Sequence, residues 1–504
     1  MTCRARGRPA LRFGPSPGKS PLLLRSTLIY GPAILLTRIS ALLFLILATR
    51  IVDPVEYGLL TLVVTVGEMT DIALTNWLRV TLLRLGGKGD ITRGSLTRAG
   101  NILVLTTFSG FAIAIAASAI IVPERWSEFS IAVCSYLLAG AVARYALTIL
   151  QMQQRHATFS MLEFLRAVLQ LAFPAATMLI EHNSFLAISL ASSLGMLIAG
   201  IVANIAAWKH VVKGPPRFSH RDFLTLGIPI IAIALVGFGL SNAERILLKL
   251  YQDAAAVAIF ASAYALARQP VDMIANAINM GAFPETMSRY DENGPKSAAA
   301  FLSQFMALTF TLALPVVAIL AALSLDVTAL LLPSTYVGPY TLLFATIAIS
   351  AFLTNIADFV YGTMVYAHKR PWLFIISKTL GTCTNVGLAM LLIPTMAEAG
   401  AALSLTGAAI VNLIASAMIC NRLTPIALPW RAIAAAVFVS ACVWLSAHFA
   451  RELLGAAPLI VRLAVAGSIG GLVFLALNAL FNPETVRQAA IKIRHRLRPS
   501  TSGI

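Results

Sequence analysis

Charged residues are scarce in this sequence, and acidic residues are the scarcest of them. Asp, Glu, Lys and Arg together make up 12% of the 504 residues, whereas 58% of the residues are hydrophobic. A soluble globular chain has about a quarter of its residues charged. Basic residues number 38 and acidic residues only 21. This composition excludes water as the main solvent and indicates a membrane protein.

The sequence also has few cysteines and lacks the usual motifs of enzymes and nucleotide-driven pumps. Its five cysteines form no CxxC pair, so we assign them neither a metal nor a disulfide. HExxH and GxxxxGK[ST] are absent, and the turn at 86–89 lacks the P-loop spacing. The longest loop expected on the outer side, 324–339, contains one carboxylate, Asp326, and no histidine. We therefore expect a protein that is not an enzyme and has no catalytic residue, no metal and no cofactor.

Long apolar runs replace the missing charges. Each run of about 20 residues can cross a hydrocarbon core of about 30 Å as a helix, and the runs are too long and too continuously apolar for barrel strands. We predict an all-α polytopic membrane protein with about fourteen transmembrane helices. The predicted spans lie roughly at 28–48, 57–78, 99–121, 129–150, 162–180, 184–207, 223–247, 254–281, 300–323, 340–366, 373–394, 400–421, 431–449 and 459–480.

The distribution of basic residues predicts the orientation of these spans. The formal net charge is +17, but the basic residues lie in alternate loops and in both tails, which excludes a nucleic-acid partner. Because Lys and Arg accumulate in cytoplasmic loops, we expect both termini in the cytoplasm and an even number of spans. The outer loops carry mainly acids, with Arg125 and Arg451 as exceptions. The basic tails either only set this orientation or also bind membrane lipids.

Ionisable residues inside the predicted spans are candidates for a functional site, because a charge at the bilayer centre costs about 2.5 to 3.5 kcal/mol. Polar side chains recur on one face of several spans, which predicts either contacts between helices or a shared hydrated cavity. The residues that we expect to bind substrate in this cavity are Arg38, Arg144, Arg268, Lys378, Gln269, Asn276 and Asn385. The carboxylates that we expect to couple transport to H⁺ or Na⁺ are Asp272, Asp358, Glu68 and Asp71. Alternatively, neighbouring charges such as Arg268 and Asp272 only neutralise each other.

Two stretches of the sequence look alike and predict two lobes. Gly31-Pro32 followed by Arg50-Ile51 is similar in order and spacing to Gly227-Ile228-Pro229 followed by Arg245-Ile246. Either apolar segments match here by chance, or the chain contains an internal repeat of the kind that transporters build around a central site. The predicted organisation is a basic cytoplasmic arm at 1–26, an N-terminal six-helix lobe at 27–215, a C-terminal six-helix lobe at 216–424, transmembrane helices 13 and 14 at 425–482, and a basic cytoplasmic tail at 483–504.

Several short motifs resemble the polysaccharide-export flippases, the Wzx-type oligosaccharide carriers of the multidrug/oligosaccharidyl-lipid/polysaccharide exporter superfamily. The motifs are RIVDPVEYG at 50–58, ERILL at 244–248, FP at 283–284, YAHKR at 366–370, and the stretch 385–394 that leads to GAA at 400–402. Their order and spacing carry the resemblance. Glu244 departs from the family pattern, in which an aspartate often stands at this position.

The resemblance implies two six-helix lobes around a central cavity, with two further helices at the C-terminus. It also implies that alternating access carries an undecaprenyl-diphosphate-linked oligosaccharide outward across the bacterial inner membrane for surface polysaccharide biosynthesis. The implied partners are the lipid-linked glycan, membrane lipids and polysaccharide assembly proteins. The chemistry is consistent, because arginine binds phosphates bidentately and a polar passage lowers the cost of moving sugar hydroxyls through hydrocarbon.

Other functions stay open on the sequence alone. An ion-coupled multidrug antiporter of the same architecture would use Glu68, Asp71, Asp272 and Asp358 to bind cationic drugs, whereas the basic residues favour an anionic ligand. A membrane sugar polymerase or ligase is disfavoured because the outer loops are short. A scaffold without transport leaves the intramembrane charges without a role.

Overall fold

A bundle of long helices makes up the part of the chain that the structure describes. The computed structural model describes residues 39–86, 92–180, 184–336 and 338–481, so Arg38, Gly31-Pro32 and both predicted basic tails lie outside the described residues. The helices are α1 (Ile39–Ile51), α2 (Pro54–Asp71), α3 (Trp77–Gly86), α4 (Arg93–Ile121), α5 (Trp126–Met152), α6 (His156–Ile180), α7 (Phe185–Trp208), α8 (His220–Tyr251), α9 (Ala254–Asn293), α10 (Pro295–Ala322), α11 (Ser324–Leu331), α12 (Tyr340–Ile356), α13 (Thr363–Ala367), α14 (Trp372–Leu423), α15 (Trp430–Leu453) and α16 (Leu459–Phe481).

The predicted all-α, multi-span fold is confirmed. Within the described residues, eleven helices are long and apolar enough to cross a membrane. One of them, α14, is two helices, because Ala397 has the non-helical backbone angles φ 46° and ψ −124°. Counting its halves separately and adding the apolar helix α1 and the 32-residue α8 gives the fourteen spans of the sequence prediction.

The two halves of α14 form a hairpin that turns close to Gly400. A Cβ atom at Gly400 would lie 2.5 Å from the carbonyl oxygen of Leu392, so only glycine allows the chain to pass there. Further along the hairpin, a Cβ at Gly381 would lie 3.0 Å from the Cβ of Asn412 on the opposite half. Small residues therefore let the two halves pack at short range, as is common between membrane helices.

Two π-helical turns interrupt long helices. The first, Ile72–Asn76, joins α2 to α3, and the second, Ala357–Gly362, joins α12 to α13. Each lies beside a carboxylate, since Asp71 directly precedes the first turn and Asp358 lies within the second. Such turns widen the helix locally and are frequent at functional sites.

One predicted helix end was wrong. Span 8 was expected to end at residue 281, before Phe283-Pro284, whereas α9 continues through Pro284 to Asn293. A proline inside a helix removes one backbone hydrogen bond and need not end a long membrane helix. The helix ends instead at Gly294, whose φ of 79° lies in the left-handed region that favours glycine.

The helices pack as two lobes with an added pair. Helices α2 to α7 pack mainly on one another, with α5 against α7 and α6 against α7, and form the N-terminal lobe. Helices α8 to α14 form the C-terminal lobe, in which α8 packs against α14 and α12 packs against α9. Helices α15 and α16 pack on each other, and α15 packs on α10. This arrangement agrees with the predicted fold class.

The lobes meet along several helices, and one of these contacts lies where α2 and α9 begin and α8 ends. We call this region the outer end, because loops that we predict to face outward lie there. A Cβ at Gly58 on α2 would lie 1.7 Å from the carbonyl oxygen of Ala254 on α9, so the two helices cross there in direct backbone contact. Arg50 donates to the carbonyl of Leu330 at 2.9 Å. Lys249 lies 3.7 Å from Glu124 of the N-terminal lobe. The outer end is therefore closed.

A buried carboxylate fixes the two added helices to the C-terminal lobe. Asp326 on α11 is 1% exposed. It contacts Arg462 on α16 at 2.5 Å and Arg451 on α15 at 3.2 Å. This pairing explains why Arg451 breaks the pattern of acidic outer loops. The carboxylate loses its solvation but gains a charge-assisted hydrogen bond from Arg462 and an ion-pair contact with Arg451.

We expect Asp326→Asn to lower the free energy of unfolding by about 3 kcal/mol, because it leaves two arginines without a carboxylate partner. Reversible unfolding of the purified protein in mixed micelles measures this change. Glu452→Gln is the matched control, since Glu452 is 61% exposed and lies 3.6 Å from the same Arg451. Equal stability of the two variants would show that the buried carboxylate does not hold the added helices.

Candidate functional site

Two arginines lie against the same tyrosine ring at the interface between the lobes. The guanidinium carbon of Arg245 on α8 is 4.8 Å from the ring centre of Tyr264, and that of Arg268 on α9 is 5.2 Å from it. We call Arg245 and Arg268 the arginine pair. Tyr264 and Arg268 are one turn apart on α9, so their side chains lie on the same helix face. Stacking on an aromatic ring holds both guanidiniums in place and leaves their N–H groups available for an anion.

The two members of the arginine pair differ in their partners. Arg268 Nε donates to Asp272 at 3.0 Å, and Asp272 also accepts a hydrogen bond of 2.8 Å from Asn355 on α12. Arg245 donates to the hydroxyl of Thr65 across the lobe interface at 3.4 Å, and its Nε is buried without a hydrogen-bond partner. Among the described residues, no carboxylate lies within salt-bridge distance of Arg245. Arg245 is therefore the member of the arginine pair with unused binding capacity.

Lys378 lies in the same lobe and is neutralised. Its ammonium group is 2.6 Å from Asp358 and 5.1 Å from the ring centre of Phe374. Together with the arginine pair and Asp272, these residues place three cations and two carboxylates in the C-terminal lobe. Of these cations, Arg245 has no ion-pair partner among the described residues, which suits an anionic ligand.

Arg144 lies away from the arginine pair, inside the N-terminal lobe. It forms an ion pair with Asp71, which also accepts a hydrogen bond from Thr75. It further donates to the hydroxyl of Tyr136 at 3.0 Å. Glu68, one turn before Asp71, lines two cavities of the same lobe. The predicted site residues are thus distributed over two places rather than one.

The predicted amide side chains are also divided. Gln269 follows Arg268 on α9 and is half-buried, whereas Asn276 is exposed and donates to the backbone carbonyl of Asp272 at 2.7 Å. Asn385 is fully buried and donates to Glu244 at 2.5 Å. Gln269 and Asn276 therefore lie on α9, the helix of Arg268, and Asn385 belongs to a separate buried cluster.

That cluster surrounds Glu244, between α8 and the two halves of α14. Glu244 is fully buried, and its second carboxylate oxygen has no hydrogen-bond partner. Asn385 Oδ1 and both polar atoms of the fully buried Asn412 also lack partners. In the part of the chain that the structure describes, no cation lies within salt-bridge distance of Glu244. A buried carboxylate in such surroundings is stable only when it is protonated or holds a small cation.

Sequence reasoning missed Arg245, Tyr264 and Glu244 as site residues. The predicted span 7 ended at residue 247, which placed Glu244 and Arg245 near the membrane surface, but α8 continues to Tyr251. The position of both residues in the ERILL motif was the available signal. Tyr264 carried no signal, because a single tyrosine in an apolar helix is usually a packing residue.

Comparisons with known proteins agree with this architecture. The profile of a family described as polysaccharide biosynthesis protein matches residues 23–291, more than half of the chain. Comparison with curated protein sequences gave no match.

Solved structures with a similar fold are membrane transporters. The lipid II flippase MurJ in an inward closed conformation has a TM-score of 0.72 at 13% identity, covering 93% of this chain and 100% of its own. An inward-facing multidrug resistance transporter of the MATE family has a TM-score of 0.57 at 16% identity, covering 77% of this chain and 95% of its own. A MATE transporter of Vibrio cholerae has a TM-score of 0.51 at 13% identity, covering 80% of this chain and 97% of its own. At these identities the likeness shows the fold.

Proposed function

Because this chain belongs to the family of polysaccharide biosynthesis proteins, we propose that it flips a lipid-linked oligosaccharide across the bacterial inner membrane without changing it chemically. The cargo is an undecaprenyl-diphosphate-linked glycan used for surface polysaccharide. The chain acts as a transporter and not as an enzyme. Polysaccharide assembly proteins that supply and consume this glycan are its expected partners.

The arginine pair is the observation that carries this proposal. A diphosphate presents two adjacent anionic groups, and two guanidiniums fixed on one ring can each donate a pair of hydrogen bonds to them. Arg245 forms no salt bridge among the described residues, and its Nε has no hydrogen-bond partner, so it is available to the ligand. The membrane environment strengthens such contacts because water does not compete with them.

The pairing of two carboxylates also separates this function from the second candidate, a multidrug antiporter. A cationic drug would have to displace Arg268 from Asp272 or Lys378 from Asp358 to use either carboxylate. Proteoliposomes that contain the purified protein distinguish the two functions. We expect a fluorescent polyprenyl-diphosphate sugar to reach the opposite leaflet intact and ethidium to stay where it was added. Ethidium transport without movement of the lipid-linked sugar would favour the antiporter.

Closure of the outer end fits one state of an alternating-access cycle. The lobes touch through Gly58, Lys249 and Arg50, and these contacts must break for the cargo to leave on that side. Gly58 has no Cβ atom, so α2 and α9 can come into backbone contact there, and any larger residue at this position would keep the lobes further apart.

We expect Gly58→Ala to destabilise the closed outer end by about 1 to 3 kcal/mol, since the added methyl group overlaps the carbonyl of Ala254. Spin labels at the exposed positions 127 and 251, which leave the ion pair of Lys249 with Glu124 intact, measure the separation of the lobes. The distance distribution should shift to longer values in the variant. Gly237→Ala is the control, because a Cβ at Gly237 meets no atom within 4 Å. An unchanged distance distribution in Gly58→Ala would show that residue 58 does not determine how closely the lobes approach.

The charge pattern of the loops leads us to expect that both termini are cytoplasmic and that the loop at 124–127 is periplasmic. Alkaline phosphatase and fluorescent protein fusions at these positions report the side directly. We expect phosphatase activity at the loop and fluorescence at the C-terminus. Phosphatase activity at the C-terminus would contradict the fourteen-span topology.

A further inference from the structure

The N-terminal lobe contains two adjoining cavities that the arginine pair does not line. The first has a volume of about 340 Å³ and is bordered by α1, α2, α5, α6 and α7. The second has a volume of about 280 Å³ and lies between α2, α3, α5, α6 and α7. They share the lining residues Glu68, Tyr136, Arg166 and Gln170. We call the two together the N-lobe chamber.

The N-lobe chamber is polar but has no net charge. Arg144 is paired with Asp71, and Arg166 is paired with Glu163 at 2.6 Å. One cation and one anion remain, Arg79 and Glu68. Arg79 has hydrogen bonds of 3.4 Å to Thr148 and Asn76, and neither it nor Glu68 forms an ion pair among the described residues. The chamber thus differs from the cationic site of the arginine pair and suits a neutral ligand.

Two side chains in the chamber have unused hydrogen-bonding capacity. Ser189 lines the first cavity, is 4% exposed, and its hydroxyl has no partner. Gln151 lines the second cavity, and its side-chain amide forms no hydrogen bond within the described residues. A buried polar group without a partner costs free energy, so the Ser189 hydroxyl is expected to meet a polar ligand, and the half-buried Gln151 amide can bond to the same ligand. Gln151 offers both donors and an acceptor.

The lining of the chamber matches the chemistry of a neutral sugar. Sugar hydroxyls both donate and accept, and here they meet the Gln151 and Gln170 amides, the Glu68 carboxylate and the Arg79 guanidinium. The apolar C–H faces of a sugar ring can pack on the aromatic rings of Tyr136 and Phe159. The first cavity, mostly apolar with Ser40, Ser189, Ser192 and Ser193, suits a less polar substituent of the same ring.

Glu68 connects the chamber to the arginine pair. It lines both cavities and lies one turn after Thr65, whose hydroxyl accepts a hydrogen bond from Arg245 of the other lobe. In a lipid-linked glycan, the first sugar is bonded directly to the diphosphate. A diphosphate held by the arginine pair therefore places that sugar next to Glu68.

We propose that the N-lobe chamber is the binding subsite for the neutral sugar residue that is bonded to the diphosphate of the cargo. This inference rests on the proposed function. The cargo then bridges both lobes, with its diphosphate on the C-terminal lobe and its first sugar in the N-terminal lobe. Each cavity is large enough to accommodate a sugar residue.

Binding of short lipid probes to the purified full-length protein tests this subsite. The probes are farnesyl diphosphate and its conjugates with N-acetylglucosamine, galactose or glucose. We expect wild-type protein to bind at least one conjugate more tightly than farnesyl diphosphate. The double variant Gln151→Leu, Ser189→Ala leaves the ion pairs intact and should reduce this preference about tenfold, which is the expected effect of two lost neutral hydrogen bonds. Its affinity for farnesyl diphosphate should not change.

Ser109→Ala is the matched control, because Ser109 is exposed on α4 away from the chamber and should leave both affinities unchanged. The inference is overturned if the double variant keeps the full sugar preference, or if wild-type protein binds no conjugate more tightly than farnesyl diphosphate. In either case, the proposed function stands if wild-type protein still binds farnesyl diphosphate and an Arg245→Ala variant does not. Absence of farnesyl diphosphate binding to wild-type protein would overturn both.

Discussion

Replacement of Arg245 by alanine is expected to slow translocation of a lipid-linked sugar about a hundredfold in proteoliposomes. A bidentate contact to phosphate consists of two charge-assisted hydrogen bonds, each worth about 1.5 to 3 kcal/mol, so losing both removes at least about 3 kcal/mol. Arg245 is expected to show the larger effect of the arginine pair, because Arg268 is partly neutralised by Asp272. Arg245→Lys should retain part of the rate, since lysine keeps the charge but loses the fork.

Arg289→Ala is the matched control for this variant. Like Arg245, Arg289 lies over an aromatic ring, 4.6 Å from the centre of Phe301. Like Arg268, it is paired with a carboxylate one turn away, Glu285. It is 41% exposed near the end of α9, so its loss should leave the translocation rate unchanged. If Arg245→Ala inserts normally and translocates the probe at the wild-type rate, the arginine pair does not bind the diphosphate.

Replacement of Glu244 by glutamine is expected to abolish the response of translocation to an imposed ion gradient. Outward transport against a concentration difference needs a source of free energy, and the sequence contains no P-loop motif. A proton or small cation that binds one of the two arrangements of the lobes more tightly can supply this free energy when it moves down its gradient. Glutamine keeps the shape of Glu244 and its acceptor for the Asn385 bond, but it removes the charge. The basal rate without a gradient should remain.

The structure changes which carboxylate we propose for coupling. Asp272, Asp358 and Asp71 form ion pairs with Arg268, Lys378 and Arg144, and Glu68 lines the N-lobe chamber. Glu244 is fully buried and has an unpartnered oxygen. Vesicles with separately imposed Na⁺ and pH gradients identify the ion. Asp272→Asn and Asp358→Asn should keep a response to the gradient. If these variants lose the response while Glu244→Gln keeps it, the coupling site includes Asp272 and Asp358 and not Glu244.

The fold could be predicted from the sequence because membrane helices satisfy their own backbone and need only length and apolarity. The ends of helices that lie in polar stretches could not be predicted in this way. Arg245 and Pro284 are typical of helix ends in local sequence, yet α8 and α9 continue past them. Lys249 near the end of α8 reaches Glu124 of the other lobe, and Tyr290 near the end of α9 packs on His368 of its own lobe. The resemblance to flippases was the stronger guide to function, since it rested on the order of several motifs.

The site was only partly predictable, because its pairings join residues that are far apart in sequence. Arg268 and Asp272 lie one turn apart, so their contact could be expected from helix geometry. The contacts of Asp326 with Arg451 and Arg462, and of Arg144 with Asp71, depend on how separate helices pack. The N-lobe chamber needs five or more helices in place. The polar stripes on single spans indicate a polar cavity, but they do not specify which helices enclose it.

The most direct test of the proposed function is the location of the lipid-linked glycan in cells depleted of this protein. Periodate, which does not cross the inner membrane, oxidises sugars on the periplasmic leaflet of spheroplasts and leaves those on the cytoplasmic leaflet intact. We predict that the lipid-linked glycan accumulates after depletion and is protected from periodate, whereas wild-type protein restores its oxidation and Arg245→Ala does not. Full periodate accessibility of the glycan in depleted cells would contradict the account.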